Sequence, residues 1–182
     1  KVGLTGNIGS GKSMIASVFS VLGIPVFHAD LAGREVLESP RVVEELARLF
    51  GKDVITADGK PIRSRLAGIV FNDTQALDQL NSLVHPGVEK RWLEWYSLQS
   101  GSPYVIHEAA ILFESGFHEL LDKVIVVKAP YSVRKERVIQ RDGISGEEFD
   151  ARAARQYPET RLLRLADHIV DTSNTNSHQL RE

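Results

Sequence analysis

The sequence predicts an α/β fold in which a central parallel sheet carries helices on its faces. Three observations predict it. Short apolar segments alternate with longer amphipathic ones along the chain, the order in which parallel strands and their crossover helices follow one another. The first apolar segment runs directly into GNIGSGKS at 6–13, a glycine-rich turn of the kind that joins a buried strand to a helix. The helical stretch from 65 to 98 is longer than one crossover needs, which predicts a helical insertion.

Residues 2–4 are short and apolar and read as a buried strand. From 13 to 22, Ile15, Val18, Phe19 and Leu22 recur at helical spacing, and Gly23 ends the helix. Residues 25–27 are a second strand, followed by helices over 31–37 and 42–50. The stretch 51–61, GKDVITADGKP, is rich in turn formers. Helices follow over 65–71 and 74–84. His85-Pro86 breaks the pattern, and Pro86, suited to a first helical turn, is expected to start a new helix reaching about 98. After a loop at 100–103, strands are predicted at 104–106 and 124–127. A basic helix at 131–141, a helical piece at 147–155 and a last strand at 169–170 complete the series. No internal repeat or low-complexity segment is present.

Composition narrows the function. A chain of 182 residues suffices for one sizeable core, and a net charge of −2 provides no basic field for a nucleic-acid partner. With no cysteine, neither a disulfide framework nor a cysteine nucleophile is available, and an intracellular, cytoplasmic setting is expected. No apolar run reaches the roughly 18 residues of a membrane span. No signal-peptide pattern is present, so no membrane association is expected. No obligate protein partner is evident. The chain starts at Lys1 rather than Met and stops at Glu182 in a polar tail, so either end can lack residues.

GNIGSGKS fits G-x-x-x-x-G-K-[ST]. Phosphate oxygens need several donors at close range, and glycines let backbone N–H groups turn inward to supply them. Lys12 offers a point charge for β- and γ-phosphates, Ser13 a hydroxyl for Mg²⁺, and the following helix N-terminus a favourable dipole. The expectation is a nucleoside triphosphate bound with Mg²⁺.

In open parallel sheets, ligands lie beyond the carboxyl ends of the strands. Asp30 follows the second strand and Glu108 the third, so both are expected at the edge that carries the phosphate loop. An acceptor hydroxyl needs a group to orient it and take its proton, which Asp30 can do. Asp30 can equally be a helix N-cap. DLAG at 30–33 also spells the D-x-x-G of GTPases, but it lies only about twenty residues past the loop and no N-K-x-D follows. A His28/Asp30 metal pair has too few ligands, and His28 reads as a polar lining or structural residue. His107-Glu108 fails as H-E-x-x-H because position 111 is Ile. Glu108 is either a Walker-B-like acid that holds Mg²⁺ through water or an ordinary strand-end acid.

Arg134, Arg137 and Arg141 fall on one helical face, and Arg152 and Arg155 follow a loop containing Gly143 and Gly146. Mobile arginines of this kind can form a lid that neutralises a transferring phosphate. The plainer alternative is a solvated face paired with Glu136, Asp142, Glu147 and Glu148. Lys52, Lys60, Arg63, Arg65 and His85 in the insertion offer charge for a phosphorylated acceptor, or are surface residues.

Six segments in this order and spacing resemble the dephospho-CoA kinase family: LTGNIGSGKS at 4–13, VFHAD at 26–30, LVHP at 83–86, AAILFE at 109–114, QRD at 140–142 and ADHIVD at 166–171. The resemblance covers essentially the whole chain. It implies a P-loop NTPase-type three-layer fold with a helical substrate-binding insertion and a helical lid. The single kinase domain would have its core at about 1–50, 99–130 and 160–182, a CoA-binding insertion at about 51–98 and a lid at about 131–159. It implies transfer of the ATP γ-phosphate to the ribose 3′-hydroxyl of dephospho-CoA, the last step of coenzyme A synthesis. Asp30 matches the family's general base, and Lys12, Arg137 and Arg141 join it as catalytic groups. Gly6, Gly9, Ser10, Gly11, Lys12, Ser13 and Met14 would hold ATP, with Ser13 on Mg²⁺. Thr5, Asp30, Arg65, His85 and Glu108 would face the acceptor. Arg152 and Gln156 match a recurrent lid-side pair.

Three positions depart from the family pattern. His28-Ala29-Asp30 replaces D-A-D, so Asp30 stands without a first acid. Glu108-Ala109-Ala110 replaces the acid and proline of D-x-P. Asn7 occupies a loop position where Gly is common, which suggests a left-handed backbone there. Another small-molecule or nucleoside kinase of the same fold, or a non-catalytic nucleotide-binding protein, are the alternative readings. The first lacks the motif set outside the loop, and the second has no need of Asp30.

Overall fold

The computed structural model describes residues 1–174; positions 175–182, the end of the last expected core segment, lie outside the described residues. The chain divides into two compact units, one made of Lys1–His28 with the chain from Gln99 onward, the other of Ala29–Leu98. The helical unit thus contains the expected insertion and, in addition, the two helices that precede it.

The first unit is built on five parallel strands, β1 (Val2–Thr5), β2 (Val26–His28), β3 (Ile106–Glu108), β4 (Lys123–Lys128) and β5 (His168–Asp171), in the order β2-β3-β1-β4-β5. Parallel strands need crossovers long enough for helices. Helix α1 (Lys12–Val21) supplies the first of these. Leu4, Ala16, Ile106 and Val127 are fully or almost fully buried, and Val2, Ile15, Phe19, Ile24, Val26, Ile125 and Val170 pack against them. Removing a leucine such as Leu4 from water contributes about 1.5–3 kcal/mol. Gly3 lets the strand approach Leu112 and Leu121 closely: a Cβ there would stand 2.6 Å from Leu112 Cδ2.

Four of the strands lie within one residue of expectation, and β3 is displaced by two. β3 starts at Ile106 rather than 104, so Glu108 ends the strand instead of following it. In register, Gly3 pairs with His107 and Leu4 with Glu108 on one side, and His28 with Glu108 on the other. Pairing to two neighbours, with all three residues buried, fixes β3 more strongly than the apolar run at 104–106 does.

The second unit holds α2 (Ala29–Leu37), α3 (Pro40–Phe50), a 3₁₀ turn (Lys52–Val54), α4 (Arg63–Asn72) and α5 (Thr74–Ser97). Its core contains Val36, Val42, Leu46, Val54, Leu66, Val88 and Trp92. The expected break at His85-Pro86 does not occur: α5 runs unbroken for 24 residues with Pro86 inside it. Pro86 removes one N–H, to the carbonyl of Ser82, and normally breaks a helix. Packing on both sides outweighs that cost. Gly87 lies so close to α2 that a Cβ would approach Val36 Cγ1 to 2.6 Å, and Val88 and Trp92 on the same helix are buried. Asp73 caps the start, accepting from the N–H groups of Gln75 (2.8 Å) and Ala76 (3.1 Å).

In the first unit, α6 (Tyr131–Asp142) and α7 (Gly146–Ala153) follow β4, and α7 ends before Arg155. A further short helix, α8 (Glu159–Leu165), was not expected; Leu162 is its buried residue.

Candidate active site

The site begins where β1 ends. Thr5 is buried at the strand's last position, and the chain turns through 6–13 into α1. Gly6 is required by space: a Cβ would stand 2.3 Å from the carbonyl oxygen of Val127. Gly9 is required by both space and conformation, with φ +81° and a would-be Cβ 2.5 Å from the carbonyl oxygen of Arg134. Gly11 ends the turn, Lys12 opens α1, and Ser13 is exposed in its first turn with Met14 beside it.

Asn7 does not adopt the left-handed backbone expected of it; among the described residues only glycines have positive φ. Its side chain acts instead. Nδ2 donates to the carbonyl of Tyr157 (3.0 Å). Gln156 ties the same pieces together: its Oε1 accepts from the N–H of Ile8 (2.6 Å), and its Nε2 donates to the carbonyl of Ala110 (3.1 Å). Glu114 accepts from the N–H of Tyr157 (2.7 Å). Gln156 was expected only as a lid-side residue, and Glu114 only as part of AAILFE. No sequence signal announces that either braces the phosphate loop.

The other side of the loop is held by α6 and by the residue after β5. Arg134 is buried, not part of a solvated face. Its Nε donates to Ala129 O (3.0 Å) and its Nη1 to Ile8 O (3.3 Å). Burial lowers the pKa of this arginine and of Arg137. Arg137 donates through Nη2 to Thr172 O (2.7 Å), and through Nη1 to Thr172 Oγ1 (3.1 Å) and Gly9 O (3.4 Å). Thr172 in turn donates to Ser10 O (2.7 Å). Two consecutive carbonyls of the loop, Ile8 and Gly9, are thus fixed by α6, and a third, Ser10, by Thr172. Arg141 is exposed and paired with Asp142 (2.7 Å), whose hydrogen bond raises its pKa. Arg152 reaches the same Asp142 at 3.9 Å. These two fit the solvated-face alternative as they stand.

Glu108 meets the loop lysine. Its side chain is 6% exposed and forms an ion pair with Lys12, while its other oxygen lies 2.8 Å from Nδ1 of His28. Thr5, the loop, Glu108, Arg137 and Arg141 therefore belong to the sheet unit.

Asp30, Arg65 and His85 belong to the helical unit. Asp30 is exposed in the first turn of α2, inside the helix rather than capping it. β2 ends at His28, so Asp30 and His28 do not alternate on one extended segment. Among the described residues no group of three or more His, Cys, Asp and Glu side chains could hold a metal ion. Arg65 donates to Asp53 O (2.5 Å), and His85 is partly buried on α5, which lowers its pKa.

The family model for dephospho-CoA kinase matches residues 1–178 of this sequence. The chain belongs to the dephospho-CoA kinase family. It is 40% identical to the dephospho-CoA kinase of Porphyromonas gingivalis over 171 residues, 93% of this chain and 84% of that protein. Its fold matches the crystal structure of a Thermus thermophilus protein at 36% identity and a TM-score of 0.87, over 98% of this chain and 90% of the other. The dephospho-CoA kinase of Campylobacter jejuni matches at 28% identity and a TM-score of 0.70, over 99% and 90%. Membership of the dephospho-CoA kinase family makes the chain an ATP-dependent kinase with a P-loop α/β core. Among the described residues no helix is long and apolar enough to cross a membrane.

Proposed function

We propose that the chain transfers the γ-phosphate of ATP to the ribose 3′-hydroxyl of dephospho-CoA, giving coenzyme A and ADP in the cytoplasm. The observation that carries this reading is the phosphate loop at the carboxyl end of β1, braced from both sides, in a chain of this family. In the transfer, the 3′-oxygen bonds to the γ-phosphorus. The bond from that phosphorus to the bridging oxygen breaks, and its electron pair leaves with ADP. The hydroxyl proton passes to the carboxylate of Asp30, whose exposed position early in α2 leaves it open to an incoming hydroxyl.

Gly6, Gly9, Ser10, Gly11, Lys12, Ser13 and Met14 hold the triphosphate in this reading, and Lys12 neutralises β- and γ-oxygens. Arg137 keeps the loop in shape and adds positive charge beside it. Arg141, beyond the turns of α6 that hold the loop, turns from Asp142 toward the phosphates when the lid closes. Thr5, Arg65, His85 and Glu108 serve the acceptor side, with 51–98 as the acceptor-binding insertion. The exposed Ser13 hydroxyl suits Mg²⁺, which takes few protein ligands and prefers phosphate and water oxygens. Mg²⁺ held by Ser13 and the triphosphate would offset phosphate charge.

Asp30→Asn tests the central assignment. Turnover with dephospho-CoA is expected to fall about 10²–10⁴-fold, with ATP binding retained. Near-normal turnover would remove Asp30 from the mechanism. If ADP release responds to adenosine or shikimate and not to dephospho-CoA, the acceptor assignment fails.

A further inference from the structure

His28 stands where the resembled family carries an acid, and the transfer described above gives it no task. Its setting is specific. In the parallel register His28 on β2 faces Glu108 on β3, and Glu108 faces Leu4 on β1. Glu108 is a buried carboxylate with two partners, Lys12 on Oε1 and His28 Nδ1 on Oε2. An ionised carboxylate only accepts hydrogen bonds, so the imidazole presents Nδ1–H to it. The His28 side chain is 47% exposed, so the pair has one wet and one dry member.

Lys12 cannot serve Glu108 and a triphosphate equally. When phosphates draw the ammonium away, Glu108 loses its counter-ion while staying buried, and a stranded buried charge is costly. We propose that His28 is a positioning residue for nucleotide binding: it keeps its hydrogen bond to Glu108 when Lys12 moves to the phosphates, so that ATP entry does not strand the carboxylate. The inference rests on the reading of 6–13 as the ATP loop.

A double-mutant cycle tests it. ATP binding to the full chain is measured by calorimetry in EDTA, so that no metal enters the readout. His28→Ala is expected to weaken ATP binding by up to about tenfold, because its hydrogen bond to Glu108 counts for more once Lys12 has left the carboxylate than while that ion pair is intact. His28→Asn, whose amide N–H can replace Nδ1–H, regains most of that. In Glu108→Gln, where no charge is stranded, His28→Ala changes the affinity by less than about twofold. In steady state the KM for ATP rises, while kcat stays near wild type. His28→Val, well suited to a strand and without a side-chain donor, runs the same cycle if the alanine variant does not fold. Unchanged ATP affinity in His28→Ala overturns the proposal, as does an equal loss with and without Glu108. Lys12→Ala separates the two readings. If it binds ATP like wild type, the ATP-loop reading fails; if it loses binding while His28→Ala does not, only the role of His28 falls.

Discussion

Arg134 and Arg141 lie two turns apart on one helix, yet their surroundings give them opposite tasks. Arg134 is buried and gives hydrogen bonds to two backbone carbonyls, at Ala129 and Ile8. Arg141 is exposed beside Asp142. Arg134→Leu takes the donor from the buried carbonyl of Ala129 and from the half-buried one of Ile8, and the loss of a buried bond costs about 1–3 kcal/mol. Urea unfolding of Arg134→Leu is therefore expected to show a loss of about 2–4 kcal/mol. Arg141→Ala removes a surface pair worth about 0–1 kcal/mol, so its stability stays near wild type. In the proposed lid role its kcat falls while its unfolding curve does not move. A stability loss in Arg141→Ala equal to that of Arg134→Leu would contradict this division. The phosphate loop itself was legible in the sequence, because phosphates dictate glycines, a lysine and a hydroxyl at fixed spacing. Its braces were not. Asn7 and Gln156 find partners 150 and 148 residues away, and no local pattern encodes such contacts.

Helix α5 is where local rules and packing disagree. Read locally, His85-Pro86 ends one helix and starts another; in the fold a single helix passes through, held against α2. Gly87 is the contact that makes this approach possible, because β-branched Val36 has no soft end to yield. Gly87→Ala gains about 1 kcal/mol of helix propensity. It also drives a methyl into Val36, and such overpacking costs about 1–3 kcal/mol. The expected result is a net loss of up to about 2 kcal/mol in urea unfolding. Adding Val36→Ala should turn Gly87→Ala from harmful to neutral or better, since the clashing methyls are gone. If Gly87→Ala stabilises the protein on its own, the close approach of α2 and α5 is wrong. Helices with clear apolar spacing, α1, α3 and α6, were legible to within two residues. The short α8 has one buried side chain, Leu162, and too few turns for a period to emerge. β3 was displaced because its end carries His107 and Glu108, polar residues that a strand reading excludes until their partners are known.

At the scale of the molecule, alternation of strands and helices predicted a parallel sheet, but spacing alone does not state the order β2-β3-β1-β4-β5. That order makes β3 an interior strand and so buries His107 completely, between the rings of Phe27 (5.4 Å) and Phe117 (5.3 Å). Desolvation lowers its pKa to about 4. In the unfolded chain the imidazole returns to about 6.5. Above that pH both states hold a neutral ring and the group does not affect stability. Below it the unfolded chain takes up a proton that the folded chain refuses, so stability falls as pH falls from about 6.5 to about 4. A separation of about 2.5 in pKa, at about 1.4 kcal/mol each, puts the whole loss at about 3 kcal/mol. Carboxylates also titrate near the lower end, so the signal is the difference between wild type and His107→Gln, in which they are shared. Urea unfolding at pH 7 and pH 4.5 should show wild type losing about 2–3 kcal/mol more than the variant over that interval. The variant itself is less stable than wild type at pH 7, since the stacked ring is lost. Equal pH slopes for the two proteins would mean that His107 is hydrated in the folded state, and with it that β3 does not lie inside the sheet.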